Sequence, residues 1–134
     1  MGKVILDNEY ALLTYNKDHK LLELEWKTSS PEHEYRKVFD TAVDLASVYK
    51  IDYFLSDIRK GGAISLANLQ WLKKNVILKA IELDLKKIAL ILNDELYSRI
   101  YADSIRKSLL RSKVKINFFT MRNEAIEWFS SDVS

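Results

Sequence analysis

A chain of 134 residues, 48% hydrophobic and 30% charged, has the length of one domain and enough apolar side chains to fill its core. The absence of cysteine excludes disulfides, thiolate metal sites and a cysteine nucleophile. No apolar run approaches the ~18 residues of a membrane span, and a net charge of +2 is too small to announce a nucleic-acid partner.

Met1-Gly2-Lys3-Val4-Ile5-Leu6-Asp7 has too short an apolar stretch for a secretory signal. The expectation is a cytoplasmic, bacterial-type protein forming a single domain over residues 1–134, with its core at about 8–130. Tyr10 to Asn16 reads as a strand, with Tyr10, Leu12 and Thr14 pointing one way and Ala11, Leu13 and Tyr15 the other. Asn16-Lys17-Asp18-His19-Lys20 is a polar turn, and Leu22, Leu24 and Trp26 alternate with Glu23, Glu25 and Lys27 on a second strand. Two alternating runs joined by a polar turn make a hairpin. Ser30 is the predicted cap of a first helix, with Pro31 in its first position and Glu32 and Glu34 at its positive end. That helix places Tyr35, Val38, Phe39, Ala42, Leu45, Ala46 and Tyr49 on one stripe.

Ile51 to Ile58 reads as a buried strand, broken by Arg59-Lys60-Gly61-Gly62. Ser65 caps a second helix bearing Leu66, Leu69, Leu72, Val76, Ala80 and Leu83. Lys87 to Leu92 shows no polar alternation, which predicts an inner strand of a sheet covered on both faces. Asn93 or Asp94 caps a third helix with Tyr97, Ile100, Tyr101, Ile105 and Leu109 on its stripe. A strand at Ile116 to Met121 and a short helix capped by Asn123 end the pattern. The order is β-β-α-β-α-β-α-β-α: an α/β fold with a mixed five-stranded sheet, mostly parallel after the N-terminal hairpin, packed with four helices.

Few of the residues that carry chemistry fall into catalytic patterns. His33-Glu34 opens like the H-E-x-x-H zinc helix, but Lys37 stands where the second histidine belongs. No metal, cofactor or catalytic residue is expected. The loop Asp57 to Ser65 leaves the carboxyl end of a strand and opens a helix, the place where ligands gather in open α/β sheets. There Gly61 and Gly62 either serve a left-handed turn or expose N–H groups that, with Arg59 and Lys60, hold a small anion. Asp57 and Arg59 project to the same side, to pair with each other or to face a ligand. Ser65 serves as an N-cap or as a phosphoacceptor. Trp71 falls between the apolar positions of its helix, half-exposed, as an interface anchor would; Trp128 is similarly placed on the last helix. Charge is uneven: residues 7–34 carry mostly carboxylates, whereas Arg99, Arg106, Lys107, Arg111, Lys113 and Lys115 oppose only Asp103. This is either a solvated helix face plus favourable cations at a helix C-terminus or a surface that steers an acidic partner or a second copy.

The element order, the loop at Asp57 to Ser65, and Phe118-Phe119 followed by Glu124-Ala125-Ile126-Glu127-Trp128-Phe129 together resemble the SpoIIAA-like, or STAS-like, family. Glu34-Tyr35-Arg36, Asp57-Ile58-Arg59 and Trp71-Leu72 look like the pattern of its uncharacterised bacterial members. The resemblance implies a non-catalytic regulatory or ligand-binding module. The expectation built on it is a module that binds a protein partner or forms a homodimer, with Asp57, Arg59, Lys60, Gly61, Gly62, Ser65 and Trp71 as ligand or partner contacts. Antagonists of anti-sigma factors in this family carry a phosphorylatable Ser or Thr at the start of the helix after the third strand, and Ser65 is the nearest equivalent. Their loop is of an Asp-Ser-Ser-Gly type, whereas this chain reads Arg59-Lys60-Gly61-Gly62-Ala63-Ile64-Ser65. The alternative reading is a carrier of a small anionic or lipid-like ligand at the loop before the second helix.

Overall fold

The computed structural model describes residues 2–131. Six strands form one sheet in chain order: β1 (Lys3–Asp7), β2 (Ala11–Asn16), β3 (Leu21–Trp26), β4 (Tyr53–Asp57), β5 (Lys87–Ile91) and β6 (Lys115–Phe119). Neighbours are antiparallel from β1 to β3 and parallel from β3 to β6. The helices are α1 (Glu32–Val48), α2 (Leu66–Leu72), α3 (Leu78–Glu82), α4 (Leu96–Ser108) and α5 (Arg122–Phe129). A π turn at Lys73–Ile77 joins α2 to α3 without a break in helical backbone, so the two make one rod.

The sheet has one strand more than the five read from the sequence. Val4-Ile5-Leu6 is too short to show a period, yet β1 pairs along β2 with a bulge between Val4 and Leu6. The turn behind it is fixed by Asn8, whose Oδ1 accepts the Tyr10 and Ala11 N–H groups at 2.8 and 2.9 Å. Lys27 Nζ ties Asp7 and the Asn8 carbonyl to the end of β3.

From β3 onward each strand lies beside its predecessor on the same side. Crossovers of one hand then deposit their helices on one face, and α1, the α2–α3 rod and α4 share that face. Leu13, Leu22, Leu24, Trp26, Ile88 and Leu90 pack there against Val38, Phe39, Leu72, Tyr101, Ala102 and Ile105. Among the described residues only α5 covers the other face, where Ala125, Trp128 and Phe129 lie on Leu21, Leu55, Ala89 and Ile91. Strand β5 is therefore apolar on both sides, as its unbroken run of Ile, Ala and Leu predicts. Burying each of Leu24, Leu55 and Ile91 stabilises the fold by roughly 2–3 kcal/mol.

Local details depart from the sequence reading. Helix α1 begins one residue later than expected: Pro31 takes the cap position and no side chain caps the helix, so Ser30 does not. Asn123 lies inside α5, whose cap position is Met121. Glu95 holds the cap position of α4, while Asn93 Oδ1 accepts the Glu95 N–H at 2.9 Å and the Ser98 hydroxyl at 2.8 Å. Trp128 is buried rather than half-exposed. Its ring packs between Phe119 and Phe129, and Lys87 Nζ lies 4.9 Å from its centroid. Lys87 reaches there because its ammonium also takes up the Trp128 and Ser131 carbonyls at the end of α5.

Candidate functional site

In sheets whose strand order reverses, the reversal itself opens a crevice at the carboxyl ends. Here the order never reverses, so any hollow at that end must be built by loops. The loops that follow β4 and β5 are locked together first. Asp57 is buried and takes the Arg59 guanidinium bidentately, at 3.0 and 2.7 Å, along with the Arg59 backbone N–H at 3.1 Å. This hydrogen bonding raises the Arg59 pKa above its ordinary value. The Arg59 carbonyl accepts Asn93 Nδ2 at 2.9 Å, which bolts the loop after β4 to the loop after β5.

Past this junction the chain turns. Gly62 has φ +70°, and a Cβ on it would land on Ser29 Oγ; a Cβ on Gly61 would press on Trp26 at 3.3 Å. The two glycines thus let the loop close over the end of β3. Ser65 then starts α2, its Oγ accepting the Asn68 N–H at 3.0 Å.

Between this loop, the start of α1 and the first turns of α4 lies a cleft of about 200 Å³. Trp26 and Ile58 are among its walls, together with Gly61, Gly62, Ser65, Glu32, Tyr35, Asn68, Tyr97 and Tyr101. Trp26 and Tyr35 stack with ring centroids 5.2 Å apart. The buried Tyr35 and Tyr101 hydroxyls stand 3.4 Å apart. Burial raises the pKa of both, Tyr101 to about 12, so both phenols stay neutral at neutral pH.

The polar groups of the cleft are largely engaged by the protein itself. Arg36 holds Glu32 at 2.7 Å and Asn68 Oδ1 at 2.9 Å. Ser98 is held by Asn93 and Ser65 by Asn68.

Of the residues singled out in the sequence, the cleft gathers Gly61, Gly62 and Ser65. Asp57, Arg59 and Lys60 stand on the junction leading into it. Trp71 lies farther along α2, half-buried, with the Arg36 guanidinium 5.5 Å from its ring centroid. His33, the start of the incomplete zinc pattern, is exposed beside Glu34 on α1. Sequence reasoning missed Tyr35, Tyr97, Tyr101, Asn68 and Asn93. The tyrosines sit on apolar stripes and read as plain core; their hydroxyls, facing one end of the sheet, were the available signal. Three aliphatic side chains on α2 and α4, the helices that help wall the cleft, are unusually open to solvent. Leu66, next to Ser65, is 72% exposed; Leu96, next to Tyr97, is 71% exposed; and Ile100, one turn on, is 58% exposed.

No protein-family model matches the sequence, and no curated protein is significantly similar to it. Among solved structures, the chain is similar to an uncharacterised protein of the DUF3478 family with a SpoIIAA-like fold from Shewanella loihica PV-4. The TM-score is 0.61 at 17% sequence identity, and the match covers 96% of this chain and 92% of the other. The antiparallel start, the four parallel strands wound in one direction and the helices they carry are thus those of a SpoIIAA-like fold.

Proposed function

We propose that the protein is a non-catalytic interaction module of STAS-like type that docks a protein partner at the cleft above the carboxyl ends of its parallel strands. The observation that carries this reading is a 200 Å³ hollow whose walls include Ser65, Tyr97 and Tyr101, each next in sequence to a strongly exposed aliphatic residue, Leu66, Leu96 and Ile100 respectively. Single exposed aliphatics need no explanation, but several on the helices that wall one hollow suit a docking surface. The hollow has room for one large side chain, since about 150 Å³ holds a benzene ring. The partner therefore presents one aromatic or branched aliphatic anchor, and the three aliphatics close around it. Arg59, Lys60 and Trp71 flank this surface as secondary contacts.

An anionic ligand at the same loop is the weaker reading, because the donors it would need are taken. Asp57 occupies the Arg59 guanidinium and N–H, Ser65 occupies the Asn68 N–H, and Glu32 adds a carboxylate to the wall. Ser65 is exposed at the rim. Phosphorylation there would add about two negative charges among the aliphatic contacts, and in this reading it releases the partner.

Immobilised protein should retain a partner from cell extract that is lost at least tenfold on Leu66→Ser and on Leu96→Ser. Arg122→Ala, on the other face of the sheet, should retain it fully. Equal retention by all three variants refutes the docking surface.

A further inference from the structure

A second hollow, of about 280 Å³, opens at the opposite end of the parallel strands, between the sheet, α1 and the α2–α3 rod. Leu22, Phe39, Phe54, Leu72, Ile88 and Ile105 are among its walls. Protein interiors normally pack without voids larger than a water molecule, so a hollow of this size inside the main core is a feature of the fold.

Three observations give it a chemical character. First, Ser56 lies on its wall, only 1% exposed, and the Ser56 hydroxyl has no hydrogen-bond partner among the described residues. A buried polar group without a partner is uncommon in folded proteins. Second, the π turn at Lys73–Ile77 carries Val76 and Ile77 into the lining. The turn is stabilised locally by Asn75 Nδ2, which donates to the Trp71 carbonyl at 3.0 Å, and such turns recur where helices shape binding sites. Third, there is a way in. Ser47, Val48, Tyr49 and Lys50 at the end of α1 face Lys79 and Leu83 across the mouth, with Val48 75% and Tyr49 47% exposed.

We infer that this hollow binds an apolar small molecule of about ten to twelve non-hydrogen atoms, by proportion to the roughly 150 Å³ that holds benzene, carrying one oxygen that hydrogen-bonds Ser56. The apolar walls take the body of the molecule. The hydroxyl of Ser56 selects the member of an otherwise equivalent pair that bears a hydroxyl or carbonyl oxygen. The inference is independent of the docking cleft: among the described residues Tyr101 alone lines both hollows.

The test is calorimetric titration of the whole protein with 2-naphthol and with naphthalene, which differ by one hydroxyl. Wild type should bind both and prefer 2-naphthol by about two- to tenfold, the worth of one net hydrogen bond. Ser56→Ala should leave naphthalene affinity unchanged and abolish the preference. Ala80→Phe, which fills the hollow from the α3 side, should weaken both at least tenfold. Should that variant fail to fold, the Ser56→Ala comparison decides alone. Failure of wild type to bind either probe, a preference that survives Ser56→Ala, or unchanged binding by folded Ala80→Phe overturns the inference. Partner capture by Leu66 and Leu96 is read separately, so either result stands without the other.

Discussion

Gly62→Ala tests the geometry of the loop that forms the docking cleft. At φ +70° an alanine suffers its Cβ against the backbone, a cost of about 1–2 kcal/mol in left-handed conformation. The new methyl also lands on Ser29 Oγ, while Ser29 Cβ stands at an ordinary 3.4 Å. The hydroxyl can yield by leaving its preferred rotamer, for roughly 0.5–1.5 kcal/mol. The sum is about 1.5–3.5 kcal/mol. Ser29→Ala alone should change little, because Ser29 is exposed. The double variant should recover the second part of the loss and none of the first, for a coupling energy of about 0.5–1.5 kcal/mol. Urea unfolding followed by tryptophan fluorescence reads each value as a midpoint shift at constant slope. A Gly62→Ala protein as stable as wild type, or a double variant no better than the single, refutes the assigned backbone geometry and the contact with Ser29.

Tyr101 makes stability fall in alkali. Its pKa rises on folding from about 10 to about 12, so the folded state holds its proton more tightly. The corresponding stabilisation is complete below pH 10 and is lost as pH climbs toward 12, at roughly 3 kcal/mol for two pKa units. Tyr101→Phe should therefore flatten the decline of the melting temperature between pH 9.5 and 11.5; a decline as steep as in wild type contradicts the burial of this phenol. Asn93→Ala removes bonds to the Arg59 carbonyl, the Glu95 N–H and the Ser98 hydroxyl. At about 1 kcal/mol each, less what water restores, it should cost about 1.5–3 kcal/mol in urea unfolding, and a loss below 0.5 kcal/mol would show that the two loops are not bolted together by this side chain.

What could be read from the sequence follows from what is local. Alternation at Leu22, Leu24 and Trp26 gave the hairpin strand its buried face, and the unrelieved apolar run at Lys87–Leu92 placed β5 inside the sheet. Ser65 caps the helix that carries Leu66, Leu69 and Leu72, and Asp57 and Arg59, two apart on one side, do pair. What escaped depends on distant partners. β1 is held by the edge of β2 and by Lys27 rather than by any pattern of its own. Trp128 is sealed by its neighbour Phe129 and, from two other places in the chain, by Phe119 and Lys87. The cleft exists only because the starts of α1, α2 and α4 meet, and the tyrosines that line it share a helical period with ordinary core. The π turn shows no signal in hydrophobic spacing, since one extra residue merely slides the stripe.

The one-sided winding of the sheet leaves α5 as the one helix among the described residues that covers Leu21, Leu55, Ala89 and Ile91. During synthesis every strand leaves the ribosome before Arg122–Phe129 does, and N-terminal parts fold first. A nascent chain whose sheet has already assembled thus still shows a bare greasy strip, and a holding chaperone has something to grip until α5 swings over it.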